Sequence, residues 1–114
     1  MEKIMEVKVH GYTLHGDYYL ADKVITNVDW EEALRMERVV ALPNGKTVVA
    51  YTLSKAELET IPKEERKCGN WYWTSITYDG ERHWYVNGGG GFGIGSDGID
   101  DDNGGARLGF KNPF

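Results

Sequence analysis

Four groups of residues in this 114-residue chain have types and spacings that could do chemistry. Cys68 lies in Arg66-Lys67-Cys68-Gly69, and neighbouring cations lower a thiol pKa. A cysteine nucleophile also needs a base, and the local sequence supplies none, so the competing reading is an ordinary thiol at a helix end. His10 and His15 flank a turn and His83 begins a strand. A metal site needs about three or four ligands in fixed geometry, which this spacing does not provide. The cluster Asp97, Asp100, Asp101, Asp102 and Asn103 is different. Calcium takes about six to eight oxygens from closely spaced carboxylates and loop carbonyls. Asp97, Asp100 and Asp102 are its candidate ligands here. No glutamate stands where a calcium loop ends, so the alternative is a solvated acidic loop that repels itself. The run Gly88-Gly89-Gly90-Gly91-Phe92-Gly93-Ile94-Gly95 invites a nucleotide reading. A dinucleotide loop must follow a parallel strand and open a helix. This run instead leads into acidic, glycine-rich sequence, so it reads as a loop that permits close backbone approach.

The elements that would hold these groups can be read from pattern. Ile4, Val7 and Val9 alternate with Glu6, Lys8 and His10, which predicts a half-buried strand over residues 4–10. Residues 12–21 read as aromatic strand around a His15-Gly16-Asp17 turn. Asp29 caps a short helix over 30–37, with Glu32 in capping-box position. Asn44-Gly45 lies between two apolar runs and predicts a hairpin. Ser54 and Glu57 form a second capping box, placing a helix at 55–60. Residues 64–68 read as one exposed helical turn. Two aromatic strands, 71–77 and 82–87, close on Tyr78-Asp79-Gly80-Glu81, where Asp-Gly supplies positive φ. Residues 92–105 read as a long Gly/Asp-rich loop with a small β excursion at 92–94, and 106–110 as a final strand. The expected architecture is α+β, two short helices packed on a twisted antiparallel sheet.

Composition bounds the rest. The length fits one domain spanning 1–114. A net charge of −5 with scattered Lys and Arg argues against a nucleic-acid footprint, which needs a dense basic patch. No stretch approaches the ~20 apolar residues of a membrane span. The single cysteine forbids an intrachain disulfide, and residues 1–10 lack a signal-peptide pattern. The expected location is therefore the cytoplasm of a host cell or bacterium, or a phage particle.

The order Leu53-Ser54-Lys55-Ala56-Glu57-Leu58, Trp71-Tyr72-Trp73-Thr74-Ser75, Trp84-Tyr85-Val86-Asn87 and Arg107-Leu108-Gly109-Phe110 resembles bacterial and phage proteins of the C-type-lectin-like fold. These include domains with a "YWSS…WYV…VRP" pattern and the receptor-binding proteins of diversity-generating retroelements. The Trp-x-Trp-Thr-Ser stretch is also faintly similar to formylglycine-generating-enzyme-type domains. The resemblance covers about residues 29–114. It implies a C-type-lectin-like fold, and calcium in the acidic loop of many members. The departures matter equally. Leu108-Gly109 stands where the pattern has valine and proline. The sugar-binding motifs of calcium-dependent lectins do not occur. Formylglycine-type activity needs paired cysteines, and Cys68 stands alone.

In the resembling receptor-binding proteins the hairpin and the loop after it form the binding face. By that implication Tyr78, Glu81, Phe92, Asp97, Asp100, Asp101, Asp102 and Asn103 are the candidate partner-binding residues. Without a catalytic constellation, the expected function is a non-enzymatic module that recognises a protein or surface through residues 78–105. It would be encoded by a phage or bacterium, and one version is an acidic inhibitor of a host protein. The alternative is a calcium- or glycan-binding lectin-like domain. Arg107 is expected to pair with Asp102 or another loop carboxylate.

Overall fold

The computed structural model describes residues 7–96 and 104–114. Among them the chain forms β1 (Tyr12–His15), β2 (Tyr18–Ala21), β3 (Ile25–Thr26), α1 (Trp30–Arg35), β4 (Glu37–Ala41) and β5 (Thr47–Thr52). Next in order come α2 (Lys55–Glu59), α3 (Lys63–Arg66), β6 (Trp71–Thr77), β7 (Arg82–Val86), β8 (Phe92–Ser96), β9 (Gly104–Ala106) and β10 (Leu108–Lys111). The strands build two five-stranded sheets, ordered β1-β2-β10-β5-β4 and β3-β9-β6-β7-β8.

This corrects the α+β expectation of two helices on one antiparallel sheet in a C-type-lectin-like fold. Among the described residues strand occupies 46% and helix 15%, and the helices number three. The difference has local causes. Helix α1 begins as its cap predicts, with Glu32 N–H donating to Asp29 Oδ1 at 2.9 Å, but it ends at Arg35 because Glu37 opens β4. The Glu37–Ala41 run is rich in branched residues that favour strand. Its register on β5 runs from Glu37↔Tyr51 to Ala41↔Thr47. Residues 12–21 form a hairpin of two strands about the expected His15-Gly16-Asp17 turn. The excursion expected at 92–94 is the full strand β8, paired with β7 along its whole length. Strand β9 pairs parallel with β6, so the second sheet is mixed.

The final strand expected at 106–110 is two strands in different sheets. Residues 104–106 belong to the second sheet and 108–111 to the first, with Arg107 at the crossing. Each sheet contributes to both apolar clusters. Alternation along a strand sends neighbouring side chains to opposite faces. Tyr19 therefore joins one cluster while Tyr18 and Leu20 join the other. Trp73 and Tyr72 divide in the same way. The first cluster gathers Tyr19, Val40, Trp73, Leu108 and Phe110 beside α1. The second gathers Leu20, Leu58, Ile61, Tyr72 and Val86 beneath α2 and α3. The polar ends of buried aromatics find carbonyls, as their burial requires. Trp73 Nε1 donates to Val28 O at 3.0 Å, and Trp30 Nε1 to Thr74 O at 2.9 Å.

Close backbone approach explains Gly105 in β9. A Cβ there would lie 2.1 Å from the Ile25 carbonyl oxygen of the paired strand β3. No helix among the described residues is long and apolar enough to cross a membrane.

Candidate functional site

Strand parity determines what the β6–β7–β8 sheet presents outward. Trp84 pairs across to Ile94 and Val86 to Phe92, so these four side chains share one face. The Val86 end of that face is roofed by α2 and α3, and Val86 is fully buried. The Trp84 end runs out beyond the helices to the hairpin tip. There Tyr78 is 51% exposed and Ile76 42% exposed. The Tyr78 ring meets Trp84 edge-on at 5.6 Å between centroids. The result is a partly open aromatic platform of Tyr78, Trp84 and Phe92.

Cations border these rings. The Lys55 ammonium stands 4.8 Å from the Trp84 centroid and 4.9 Å from that of Phe92. Helix α2 places it there, and Glu59 one turn on accepts its hydrogen bond at 3.0 Å. The Arg82 guanidinium lies 5.1 Å from the Tyr78 ring. Asp79 holds it through Oδ2, at 2.9 Å to Nε and 2.6 Å to Nη2. That bond, followed by the Glu81 backbone N–H, keeps the Asp79 carboxyl below its usual pKa. The same Asp79 caps the turn by accepting from the Glu81 and Arg82 N–H groups. Cation–ring contacts at exposed positions are weak, so they fix ring orientation more than they stabilise the fold.

A buried arginine anchors the other end of the hairpin. Arg66 of α3 donates through Nε to Gly90 O at 2.8 Å and through Nη1 to Ile61 O at 2.8 Å. Its guanidinium carbon lies 4.6 Å from the Phe92 ring centroid. Gly90 has φ +91°, and a Cβ there would sit 2.3 Å from Lys63 O. The glycine run is thus a tight turn between two antiparallel strands, pressed on α3, and not a phosphate loop. Asn87 closes it by accepting from the N–H groups of Gly89 and Gly91, both at 3.0 Å.

Of the predicted site residues, Tyr78 and Phe92 border this platform, and Glu81 is exposed at the turn beside it. Asp97, Asp100, Asp101, Asp102 and Asn103 lie outside the described residues, and the calcium reading lies there with them. Among the described residues no group of three His, Cys, Asp or Glu is placed to hold a metal. His83 is buried and stacked on Trp30, 3.7 Å between centroids and 2° from coplanar. His15 meets Glu65 at 3.5 Å. Cys68 donates weakly to Asn70 O at 3.6 Å and packs against the second cluster.

Sequence reasoning missed Trp84, Ile76 and Arg82 beside Tyr78, and Lys55 over Trp84 and Phe92. The parity of 82–86 offered Trp84; Lys55 lies too far away in sequence to be paired with it by pattern. The pairing of Arg107 with Asp102 or another loop carboxylate lies outside the described residues. Arg107 is 5% exposed and, among the described residues, donates to Ala21 O (2.8 Å), Arg66 O (3.0 Å) and the Tyr72 hydroxyl (3.3 Å).

A second concavity lies on the other sheet. A cleft of about 810 Å³ runs between the start of β1 and strand β4, floored by Val40 and Leu108. Strands β1 and β4 are opposite edges of their sheet, so the sheet curls to bring both to one cleft. The charge of Arg38, on β4, correspondingly reaches the Tyr12 phenol on β1; burial, the larger effect, raises that phenol's pKa.

Comparison of the chain with protein families, with curated proteins and with solved structures finds no match.

Proposed function

We propose that this chain is a non-enzymatic binding module that recognises a protein partner through the β6–β7 hairpin face. The observation that carries the reading is the platform of Tyr78, Trp84 and Phe92, left open at its hairpin end while both buried clusters are filled. Tyr and Trp are enriched where binding energy concentrates, because each adds a large rigid contact with a polar tip. Lys55 and Arg82 at the rings supply charge that selects a partner's orientation more than its affinity. The hairpin is suited to such a role. One end is bolted to α3 through Arg66, and its turn is tied by Asp79, so little ordering entropy remains to be lost on binding.

The test is affinity capture from the source organism's lysate with the native chain and with Tyr78→Ala, matched for melting temperature. A protein retained by the native chain should be lost from the variant, whose affinity should fall roughly thirtyfold or more if Tyr78 is a hot spot. Retention of the same protein by the variant would move the interface elsewhere. Capture of nothing by the native chain would defeat the protein-binding reading.

A further inference from the structure

The cleft between β1 and β4 carries a second inference, independent of the hairpin platform. Four consecutive residues of β4, Arg38 to Ala41, line it. A strand that offered only one face would contribute alternate residues. Consecutive lining means that the strand's edge borders the cleft.

Among the described residues that edge is unpaired. Strand β4 ends its sheet, with β5 as its neighbour on one side. The phase of its ladder is set by Leu42 N–H donating to Lys46 O at 2.8 Å. Hydrogen-bonded and non-bonded pairs alternate in an antiparallel ladder. In the observed register, Val40↔Val48 and Arg38↔Ala50 are therefore the bonded pairs. Val39 and Ala41 turn their N–H and C=O groups away from β5, toward the free edge. An exposed edge of this kind is a template for another strand. Val39 is 70% exposed and lies opposite Val49, itself 47% exposed.

The charge in the cleft selects the occupant. Among the described residues, Lys23 and Arg38 line it against one carboxylate, Asp22. That carboxylate already accepts the Thr13 hydroxyl at 2.5 Å. This is a locally basic groove on a chain of net charge −5. Its floor of Val40 and Leu108 is apolar and buried. We infer that the cleft receives an extended peptide segment of a partner protein, added as a strand to the β4 edge, with acidic side chains toward Arg38 and Lys23 and apolar ones toward the floor. Main-chain bonds to Val39 and Ala41 would supply affinity, and alternate side chains specificity.

The probe is a random linear peptide library selected against the immobilised full chain, with the best sequence then synthesised. The selected peptides should be enriched in Asp and Glu alternating with apolar residues. Val39→Pro removes one outward N–H while leaving the bonds to β5 in place, and proline is tolerated on an edge strand. It should weaken the peptide roughly tenfold or more, as should Arg38→Ala, whereas Tyr78→Ala should leave binding unchanged. If Val39→Pro does not fold, backbone N-methylation of alternate peptide residues tests the same bonds on the native chain. Recovery of no binding peptide would overturn the inference. So would peptides indifferent to both Arg38→Ala and the loss of these bonds, and peptides lost with Tyr78→Ala, which would belong to the platform.

Discussion

Arg107 offers the sharpest test of how the two sheets are held together. It occupies the one residue between β9 and β10, where the chain leaves one sheet for the other. Its guanidinium reaches β2 through Ala21 O, α3 through Arg66 O and β6 through the Tyr72 hydroxyl. Arg107→Met keeps most of the aliphatic stem and removes these three bonds. The consequences differ by acceptor. Arg66 O still receives the Tyr72 hydroxyl at 2.7 Å, so it is not orphaned. Ala21 O, on a half-buried residue lining the cleft, loses its side-chain donor, at a cost no greater than the ~1–3 kcal/mol of a fully buried orphaned acceptor. The Tyr72 hydroxyl loses a weaker bond at 3.3 Å. Against this, the variant no longer desolvates a cation, a cost that is smaller for the weakly hydrated guanidinium. The net expectation is a loss of about 1–2 kcal/mol, because relieved desolvation offsets part of the cost of the lost bonds. Chemical denaturation should show a lower midpoint at unchanged slope. Thermal unfolding should fall by several degrees for a domain of this size. Arg107→Lys should recover little, because an ammonium cannot present the planar fork that serves three acceptors. An Arg107→Met protein as stable as the native one would refute the reasoning. It would mean that the desolvation cost of the buried guanidinium cancels its hydrogen bonds.

Gly105→Ala should destabilise by about 2–4 kcal/mol in denaturant titration, because the new Cβ meets the backbone of β3, which cannot rotate aside. Gly11→Ala meets no atom within 4 Å but sits at φ +82°, so it should cost only the left-handed penalty of ~1–2 kcal/mol. Stability should also decline in alkali. Burial, with the Glu57 carboxylate at 2.8 Å adding to it, raises the Tyr51 phenol above its ordinary value of 10.0. Burial raises Tyr72 likewise, partly opposed by Arg107. A raised folded-state pKa gives stability that is complete below pH 10.0 and is lost as pH rises through the folded value. Melting temperature followed from neutral pH upward should drop beyond that point, and Tyr51→Phe should flatten the drop.

How much was legible depended on the range of the interaction. Both helix caps were readable because a cap is decided within four residues. Ser54 and Glu57 exchange both bonds, at 2.9 and 3.1 Å. The hairpin closing over residues 78–81 was readable for the same reason, although neither Asp79 nor Gly80 takes the positive φ expected there. The fold class was not. Helices of four to six residues leave little periodic signal. Strand β3 is two residues long and exists because β9 accepts it. Strand β8 looks like loop, since Gly93 and Gly95 carry no side chain for a pattern to read. It is a strand because β7 supplies a register for every residue from Phe92 to Ser96. The resemblance that pointed to one sheet rested on four short stretches, two of them the aromatic residues of β6 and β7, and aromatics fit many sheets equally well.

The same distinction separates the two candidate sites. The platform was half legible, because Tyr78 and Phe92 lie near a turn that the sequence announces. Its cations were not, since Lys55 reaches Trp84 only after α2 folds back across the sheet. The cleft was wholly illegible. Its walls are His10 to Tyr12 and Arg38 to Ala41, segments that meet only because three strands between them curl. Nothing local to either segment encodes that curl. It is a consequence of the sheet order, and the sheet order depends on β10 inserting between β2 and β5. Arg107 and Gly109 make that insertion possible. One ties the crossing to three elements, and the other leaves room for the Tyr19 carbonyl, which would lie 2.6 Å from an added Cβ. The cleft's geometry is therefore controlled from the far end of the chain. A substitution at Gly109 should alter peptide binding at β4 before it alters the hairpin platform.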